Sequence, residues 1–151
     1  MKRLNYEQAL TAPLRTDPDI EKRVANLIGR ANLRQLWLLF IDHDDIQLPL
    51  LVPIDGMPSE PLPEHTTEVI EHVRRVMEDL GAAGLILVWE RYASATLSPQ
   101  DAAWARSLHQ ACDEQGVSLR AMLLSHRTGV RWIAQDDYRY AGVPGNPGTR
   151  A

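Results

Sequence analysis

The sequence is poor in cysteine. Cys112 is the only one among 151 residues, so an internal disulfide and a cysteine-rich zinc site are both excluded. A secreted protein of this size commonly gains stability from disulfides, whereas a lone thiol is typical of a reducing compartment. We therefore expect a cytoplasmic protein.

An excess of positive charge and a long apolar segment are also missing. Sixteen Lys and Arg stand against twenty Asp and Glu, which gives a formal net charge of −4. Broad, salt-dependent binding to nucleic acid needs clustered cations, so we expect no nucleic-acid partner. The longest apolar run, residues 36–41, is far shorter than the roughly 20 residues that span a bilayer. The first residues also lack the apolar core of a signal peptide, and we expect no contact with a membrane.

The common cofactor and nucleophile motifs do not occur either. The chain contains neither G-x-x-x-x-G-K-[ST] nor G-x-G-x-x-G, the glycine-rich loops that hold phosphates, and no G-x-S-x-G elbow that would expose a nucleophilic serine. We therefore expect no cofactor.

The length of the chain suits one domain. We expect a partly ordered N-terminal segment over residues 1–16, a single α/β domain over residues 17–140, and a disordered tail over residues 141–151. The tail is predicted to be disordered because it is rich in glycine and proline.

Two segments early in the chain carry helix signals. Asp17 offers a capping side chain and Pro18 suits the first helical position; apolar residues at helical spacing then follow as far as an exit near Asn32. A second helix is predicted over residues 66–80, with Gly81 placed to end it in a left-handed conformation.

A third helix has the clearest start and stop. Ser98 can cap its first turn, Pro99 suits the first helical position, and Asp101 lies near the positive end of the helix dipole. Gly116 is a natural stop. The sequence therefore predicts a helix between Pro99 and Gly116.

Apolar runs predict the strands. Residues 36–41 and 46–54 flank an Asp-rich turn and predict a β-hairpin, whose second strand lies at an edge or is bulged because Pro49 and Pro53 cannot donate ladder hydrogen bonds. Residues 85–89 are apolar without alternation, which favours a central strand covered on both faces.

The last strands are predicted over residues 117–124 and 130–134. The resulting order, helix-ββ-α-β-α-ββ, implies an α/β fold with a mixed sheet of about five strands, an initial β-hairpin and three helices packed on the faces of the sheet.

This order of elements, together with Ser98 and Asp101 in an S-x-x-D pattern, resembles the JAB/MPN fold, in particular its bacterial RadC-type members; the cytidine-deaminase fold has a similar layout. In JAB/MPN metalloproteases a strand ends in H-x-H, and S-x-x-D follows after seven residues. The two His and the Asp bind zinc, the Ser helps to stabilise the oxyanion, and an upstream Glu is the general base.

The resemblance implies a metal-free, inactive relative (a pseudoenzyme). Counting back from Asp101 places the two His positions at Val88 and Glu90. A valine cannot ligate zinc, and two carboxylates are too few ligands for a catalytic site. A deaminase is excluded because its zinc site needs a P-C-x-x-C pair. The alternative is that Ser98 and Asp101 merely cap a helix.

A ligand site is predicted just past the central strand, because ligands of α/β sheets lie beyond the carboxyl ends of such strands. The residues expected to line it are Glu90, Arg91, Tyr92, Ser94 and Ser98. The alternative is that Glu90 and Arg91 are ordinary charges at a strand end.

Three other groups of residues could bind a metal or take part in catalysis, but each also has a simpler structural explanation. Residues 42–45 (Asp-His-Asp-Asp) could ligate a cation but suit a turn. Glu68 and His72 lie one helical turn apart and suit a solvated face. Cys112 and His109 could form a couple, although a buried thiol is inert.

The leading hypothesis is a non-enzymatic protein-interaction or oligomerisation module, either a homodimer or the binder of a partner protein. The interface is predicted on the second hairpin strand, at Leu48, Leu50 and Val52, since an exposed edge can accept a strand from another chain. The alternative is a hydrolase, JAB/MPN-like or metal-independent, that uses the crevice between Glu90 and Asp101 with Glu90, Ser98 and Asp101 as candidate catalytic residues.

Overall fold

The computed structural model describes residues 12–138, and this part of the chain forms three α-helices and five strands. In chain order they are α1 (Asp17–Leu27), β1 (Gln35–Ile41), β2 (Gln47–Asp55), α2 (Pro63–Leu80), β3 (Gly84–Glu90), α3 (Pro99–Gln115), β4 (Leu119–His126) and β5 (Gly129–Trp132), followed by a 3-10 helix (Gln135–Asp137). The predicted order of elements is confirmed. Of the segment predicted over residues 1–16 only 12–16 are described, and the tail over residues 141–151 lies outside the described residues.

The five strands form one mixed sheet in the order β2-β1-β3-β4-β5. β3 and β4 are parallel, and the other neighbours are antiparallel. β3 is buried along its whole length, so the apolar run without alternation was a correct sign of a central strand. The predicted α/β class is confirmed.

Helices cover both faces of the sheet. Alternate residues of a strand point to opposite faces: Leu85, Leu87 and Trp89 join the core beneath α2 and α3, whereas Ile86 and Val88 join the core beneath α1. The two cores meet only through the sheet. Neighbouring positions at the end of β3 therefore face different surroundings.

The start and end of α1 differ from the prediction. Thr16, not Asp17, caps the helix: its hydroxyl accepts from the backbone N–H of Asp19, and the Asp19 carboxylate accepts from the backbone N–H of Thr16. This reciprocal pair satisfies two backbone donors at once. The helix ends at Leu27, well before Asn32, and the chain turns away through a left-handed glycine at position 29.

The ends of α2 and α3 follow the proline and glycine signals. α2 begins at Pro63, three residues before the predicted start, and ends at Gly81, which has φ 70°. Ser98 caps α3 as predicted, in a reciprocal pair with Asp101, and Gly116 ends it with φ 70°. Both glycines occupy the left-handed region that other residues adopt only with strain.

The predicted hairpin of β1 and β2 is confirmed, and β2 is an edge strand. Its pairing with β1 shifts register between Leu39 and Ile41, opposite the part of β2 that contains Pro49, whereas Pro53 pairs in regular register with Trp37. The last two strands are offset by one or two residues from their predicted bounds. Across residues 12–138 we find no helix with both the length and the apolar character needed to cross a membrane.

Candidate functional site

Glu90, the last residue of β3, is buried on the α1 side of the sheet. Its Oε2 accepts hydrogen bonds from the backbone N–H groups of Asn32 (2.6 Å) and Leu33 (2.9 Å). Its Oε1 accepts from Gln35 Nε2 and from Trp37 Nε1, both at 2.8 Å. Each carboxylate oxygen thus has two donors, and the side chain ties the loop after α1 to the end of the central strand.

These donors decide the ionisation of Glu90. Burial alone would raise its pKa, but the hydrogen bonds from the two backbone N–H groups, the glutamine amide and the indole outweigh burial, and the pKa lies below the ordinary value of 4.5. Hydrogen bonding to the charged form has this effect in general. Glu90 is therefore an ionised anchor whose lone pairs are all used by the chain itself.

Asp101, in the first turn of α3, is a second buried carboxylate and lies on the opposite side of the sheet. Its Oδ1 accepts from Trp89 Nε1 at 3.0 Å. Its Oδ2 accepts from Arg91 Nε (3.0 Å), Arg91 Nη2 (2.8 Å) and the backbone N–H of Ser98 (2.9 Å). The planar guanidinium is suited to such a two-point contact.

Burial alone would raise the pKa of Asp101. The hydrogen bonds and charge of Arg91, together with the donors of Ser98 and Trp89, outweigh burial and lower the pKa. Asp101 is ionised, and Arg91 neutralises its charge. Four of the five guanidinium N–H donors are used, since Arg91 also donates to the carbonyl oxygens of Ser94 (2.8 Å) and Thr96 (2.9 Å). Arg91 thus shapes the loop between β3 and α3.

The positions that the JAB/MPN resemblance assigns to zinc ligands do not meet in space. Val88 packs in the core beneath α1, and Glu90 lies on the same side of the sheet. Asp101 lies on the opposite side, with α3. The side chains that contact Asp101 belong to Trp89 and Arg91, one position later in each case. An indole N–H and a guanidinium only donate hydrogen bonds, so this donor set does not fit a metal ion.

A crevice of about 300 Å³ lies beyond the end of β3, beside the first turn of α3. Of the residues predicted to line a ligand site, Arg91, Ser94 and Ser98 do so. Glu90 does not, because it points to the other side of the sheet, and Tyr92 does not, because its side chain projects into solvent with 68% exposure. The sequence located the crevice but misassigned two of the residues around it.

The walls of the crevice include groups that the sequence did not single out. The rings of Trp89 and Trp104 stack with centroids 5.3 Å apart, and the guanidinium of Arg34 lies 5.7 Å from the Trp89 ring centroid. Arg34 Nη2 and Trp104 Nε1 both donate to the carbonyl oxygen of Pro58. The loop between β2 and α2 is thereby fastened beside the crevice.

Within residues 12–138, no side chain with a free lone pair that could act as a general base is bonded to the Ser98 hydroxyl. Its Oγ accepts from the backbone N–H of Asp101, as a cap does, and Asp101 is committed to Arg91. His126 at the end of β4 does not line the crevice; its ring contacts Thr128. Burial, with the charges of nearby arginines, lowers the pKa of His126.

Cys112 and His109 do not form a couple. The thiol is fully buried in α3, and burial raises its pKa to about 12. The ring of His109 instead has Nδ1 2.5 Å from the Tyr138 hydroxyl and Nε2 3.4 Å from the Asp113 carboxylate. The thiol is therefore a protonated core group.

The structure favours the simpler explanation for the acidic turn (residues 42–45) and for the pair Glu68 and His72 on α2. Asp42 accepts from the backbone N–H groups of Asp44 and Ile46, which closes the turn between β1 and β2. Glu68 and His72 lie exposed on α2. Across the described residues 12–138, no group of three His, Cys, Asp or Glu side chains is arranged to hold a metal ion.

The predicted interface on β2 is only partly accessible. Leu48 and Val52 are half-buried and pack against the core beneath α2 and α3, whereas Leu50 is 36% exposed. Pro53 pairs with Trp37, and its nitrogen offers no donor to a strand added from outside. The edge therefore presents one leucine and an incomplete set of backbone donors.

In comparisons with known proteins, no family model and no curated protein matches the chain.

Proposed function

We propose that this chain is a non-enzymatic protein-interaction module on an α/β scaffold, which binds a partner protein or a second copy of itself. The observation that carries the proposal is that the chain itself supplies four donors to each of the two buried carboxylates beside the central strand, so that both Glu90 oxygens and Asp101 Oδ2 are fully used and Asp101 Oδ1 is bound by the Trp89 indole. Glu90 has four donors, and Asp101 has its own four from three residues. A general base, a nucleophile or a metal ligand needs a free lone pair.

The rival function, a hydrolase that uses Glu90, Ser98 and Asp101, has weaker support. Glu90 and Asp101 lie on different sides of the sheet, and Ser98 has no base beside it. The arrangement is compatible with a degenerate, metal-free relative of the JAB/MPN group. Elemental analysis of the purified protein tests this directly, because a stoichiometric zinc ion would overturn the ranking of the two functions.

We also propose a reducing, cytoplasmic setting. The sole cysteine, Cys112, is a free buried thiol, and a chain that relies on packing rather than disulfides suits such a compartment.

Self-association through β2 is tested by replacing its exposed leucine. Leu50 is 36% exposed on the edge strand, and Leu80 at the end of α2 is 37% exposed. The two leucines make a matched pair for Leu50→Asp and Leu80→Asp. Size-exclusion chromatography with light scattering over a wide concentration range is expected to give a dimer for the parent protein and for Leu80→Asp, and a monomer for Leu50→Asp.

A parent protein that is monomeric at every concentration removes self-association from the proposal. A dimer that both variants weaken equally would show that β2 is not its interface.

A further inference from the structure

Three loops meet beyond the carboxyl ends of β3 and β4. They are the loop after α1 (residues 28–34), the loop after β3 (residues 91–97) and the turn between β4 and β5 (residues 127–128). The first loop reaches the end of β4 because the backbone N–H of Ala31 donates to the carbonyl oxygen of His126 at 2.8 Å. We call the exposed side of these three loops the loop surface.

The loop surface is continuous across the end of the sheet. The backbone N–H of Arg127 donates to the carbonyl oxygen of Ala93 at 2.8 Å, which joins the turn to the loop after β3. The backbone N–H of Leu33 reaches Glu90, where the loop after β3 begins. Each of the three loops is thus bonded to a neighbour within the described chain.

The charge of the loop surface is opposite to that of the whole chain. The three loops contain no Asp or Glu, although the chain as a whole has a net charge of −4. Arg30, Arg34 and Arg127 are exposed there, and within residues 12–138 none of the three has a carboxylate within ion-pair distance. The fourth arginine, Arg91, is neutralised by Asp101.

The loop surface also holds the two most exposed large hydrophobic side chains of the described residues. Leu33 is 62% exposed and Tyr92 is 68% exposed. Tyrosine and arginine are enriched where proteins bind each other tightly. An apolar pair set among guanidinium groups that have no carboxylate partner is suited to a partner that is both acidic and apolar.

The loops are held in place before any partner arrives. Glu90 fixes the backbone of Asn32 and Leu33 through both N–H groups, and Arg91 fixes the carbonyl oxygens of Ser94 and Thr96. Ordering such loops on binding would cost conformational entropy. Glu90 and Arg91 are positioning residues for the loop surface.

We propose that the loop surface binds an acidic segment of a partner protein, whose carboxylates pair with Arg30, Arg34 and Arg127 while an apolar side chain packs against Leu33 and Tyr92. This inference rests on the proposed interaction function and names its site and the chemistry of its partner. A nucleic acid fits less well, since three guanidinium groups on a chain of net negative charge are few for backbone contacts.

The test uses an array of short peptides of random sequence, probed with the purified full chain. The peptides bound by the parent protein are expected to be enriched in Asp and Glu together with one apolar residue. The double variant Arg30→Glu, Arg127→Glu is expected to bind them about tenfold more weakly. The variant Arg74→Glu, Arg75→Glu on the solvent-facing side of α2, where the two arginines pair with Glu78 and Glu71, changes the net charge equally and is expected to bind like the parent.

A second variant guards against a change in folding. Tyr92→Ser alters an exposed side chain outside the two cores and is expected to weaken binding without changing thermal stability. The absence of acidic enrichment, or equal losses in the Arg30 and Arg74 double variants, would refute the loop surface as the site. Displacement of the peptides by a short single-stranded oligonucleotide would assign the surface to nucleic acid instead.

The outcomes separate this inference from the proposed function. A dimer sensitive to Leu50→Asp, without acidic enrichment on the array, leaves the interaction function standing and removes only the loop surface. A strictly monomeric protein that binds no peptide above background removes both.

Discussion

Replacing Glu90 with glutamine tests whether this carboxylate is a structural anchor. A glutamine of the same shape keeps one oxygen, which can accept two of the four hydrogen bonds. Its amide N–H₂ then faces the other two donors, and both bonds are lost. Hydrogen bonds to a charged group contribute about 1.5 to 3 kcal/mol each, so Glu90→Gln is expected to lower the free energy of unfolding by about 3 to 6 kcal/mol.

The pH dependence of the free energy of unfolding provides an independent test of the same prediction. The pKa of Glu90 in the folded protein lies below its ordinary value of 4.5, so its contribution to stability is fully present above that value. It is lost as the pH falls through the folded-state pKa, where the parent also becomes protonated. The difference in stability between the parent and Glu90→Gln is therefore expected to be greatest at neutral pH and to shrink in acid.

Guanidinium-induced unfolding, followed by tryptophan fluorescence at neutral pH and at steps below pH 4.5, measures both effects. Glu68→Gln on the exposed side of α2 is the control, and a surface change of this kind is expected to stay within about 0.5 kcal/mol. The reasoning is refuted if Glu90→Gln stays within the same range at neutral pH, or if the difference between parent and variant grows as the pH falls.

Four further predictions follow from the structure. Asp101→Asn leaves the buried guanidinium without its charge partner and is expected to cost about 3 to 5 kcal/mol in denaturant unfolding; a loss below about 1 kcal/mol would contradict the buried pair. Ser98→Ala removes only the cap of α3 and is expected to cost about 1 kcal/mol by the same assay, so a cost equal to that of Asp101→Asn would be unexpected. Cys112, with a pKa of about 12, is expected to react with a thiol reagent only in denaturant, and rapid labelling of the native protein would place it outside the core. Gly116→Ala forces a side chain into the left-handed region and is expected to cost about 1 to 2 kcal/mol in thermal unfolding, whereas an unchanged midpoint would argue against φ 70° at this position.

The fold could be predicted because the residues that begin and end its helices and strands act locally. Ser98 and Pro99 at the start of α3 and Gly116 at its end are signals that act over one helical turn. The two prolines of β2 exclude an interior strand by chemistry alone. A continuous apolar run predicts a strand buried on both faces. Each of these inferences needs no knowledge of distant contacts.

The site could not be predicted to the same degree, because its geometry depends on which side of β3 each residue faces. A strand without alternation gives no sign of this, so Glu90 and Arg91 were assigned to one pocket. In the structure Glu90 binds the loop at Asn32, far away in sequence, and Arg91 binds Asp101. The cap at Thr16 is a different case, since the T-x-x-D pattern that signals it was present in the sequence.

The proposed interaction function rests on the arrangement of the two carboxylates at this end of the sheet. A carboxylate that is removed from water needs compensating donors, and a catalytic one keeps part of its capacity for a substrate, a water or a metal. Glu90 keeps none, and Asp101 keeps only part of the capacity of Oδ1, which the Trp89 indole binds. Every donor comes from the chain, and several of these donors are backbone N–H groups of the surrounding loops. These hydrogen bonds offset the cost of desolvating the carboxylates and also fix the loops. The side chains exposed on those loops include arginines, a leucine and a tyrosine. Such groups suit contact with a partner surface, which is the function proposed above.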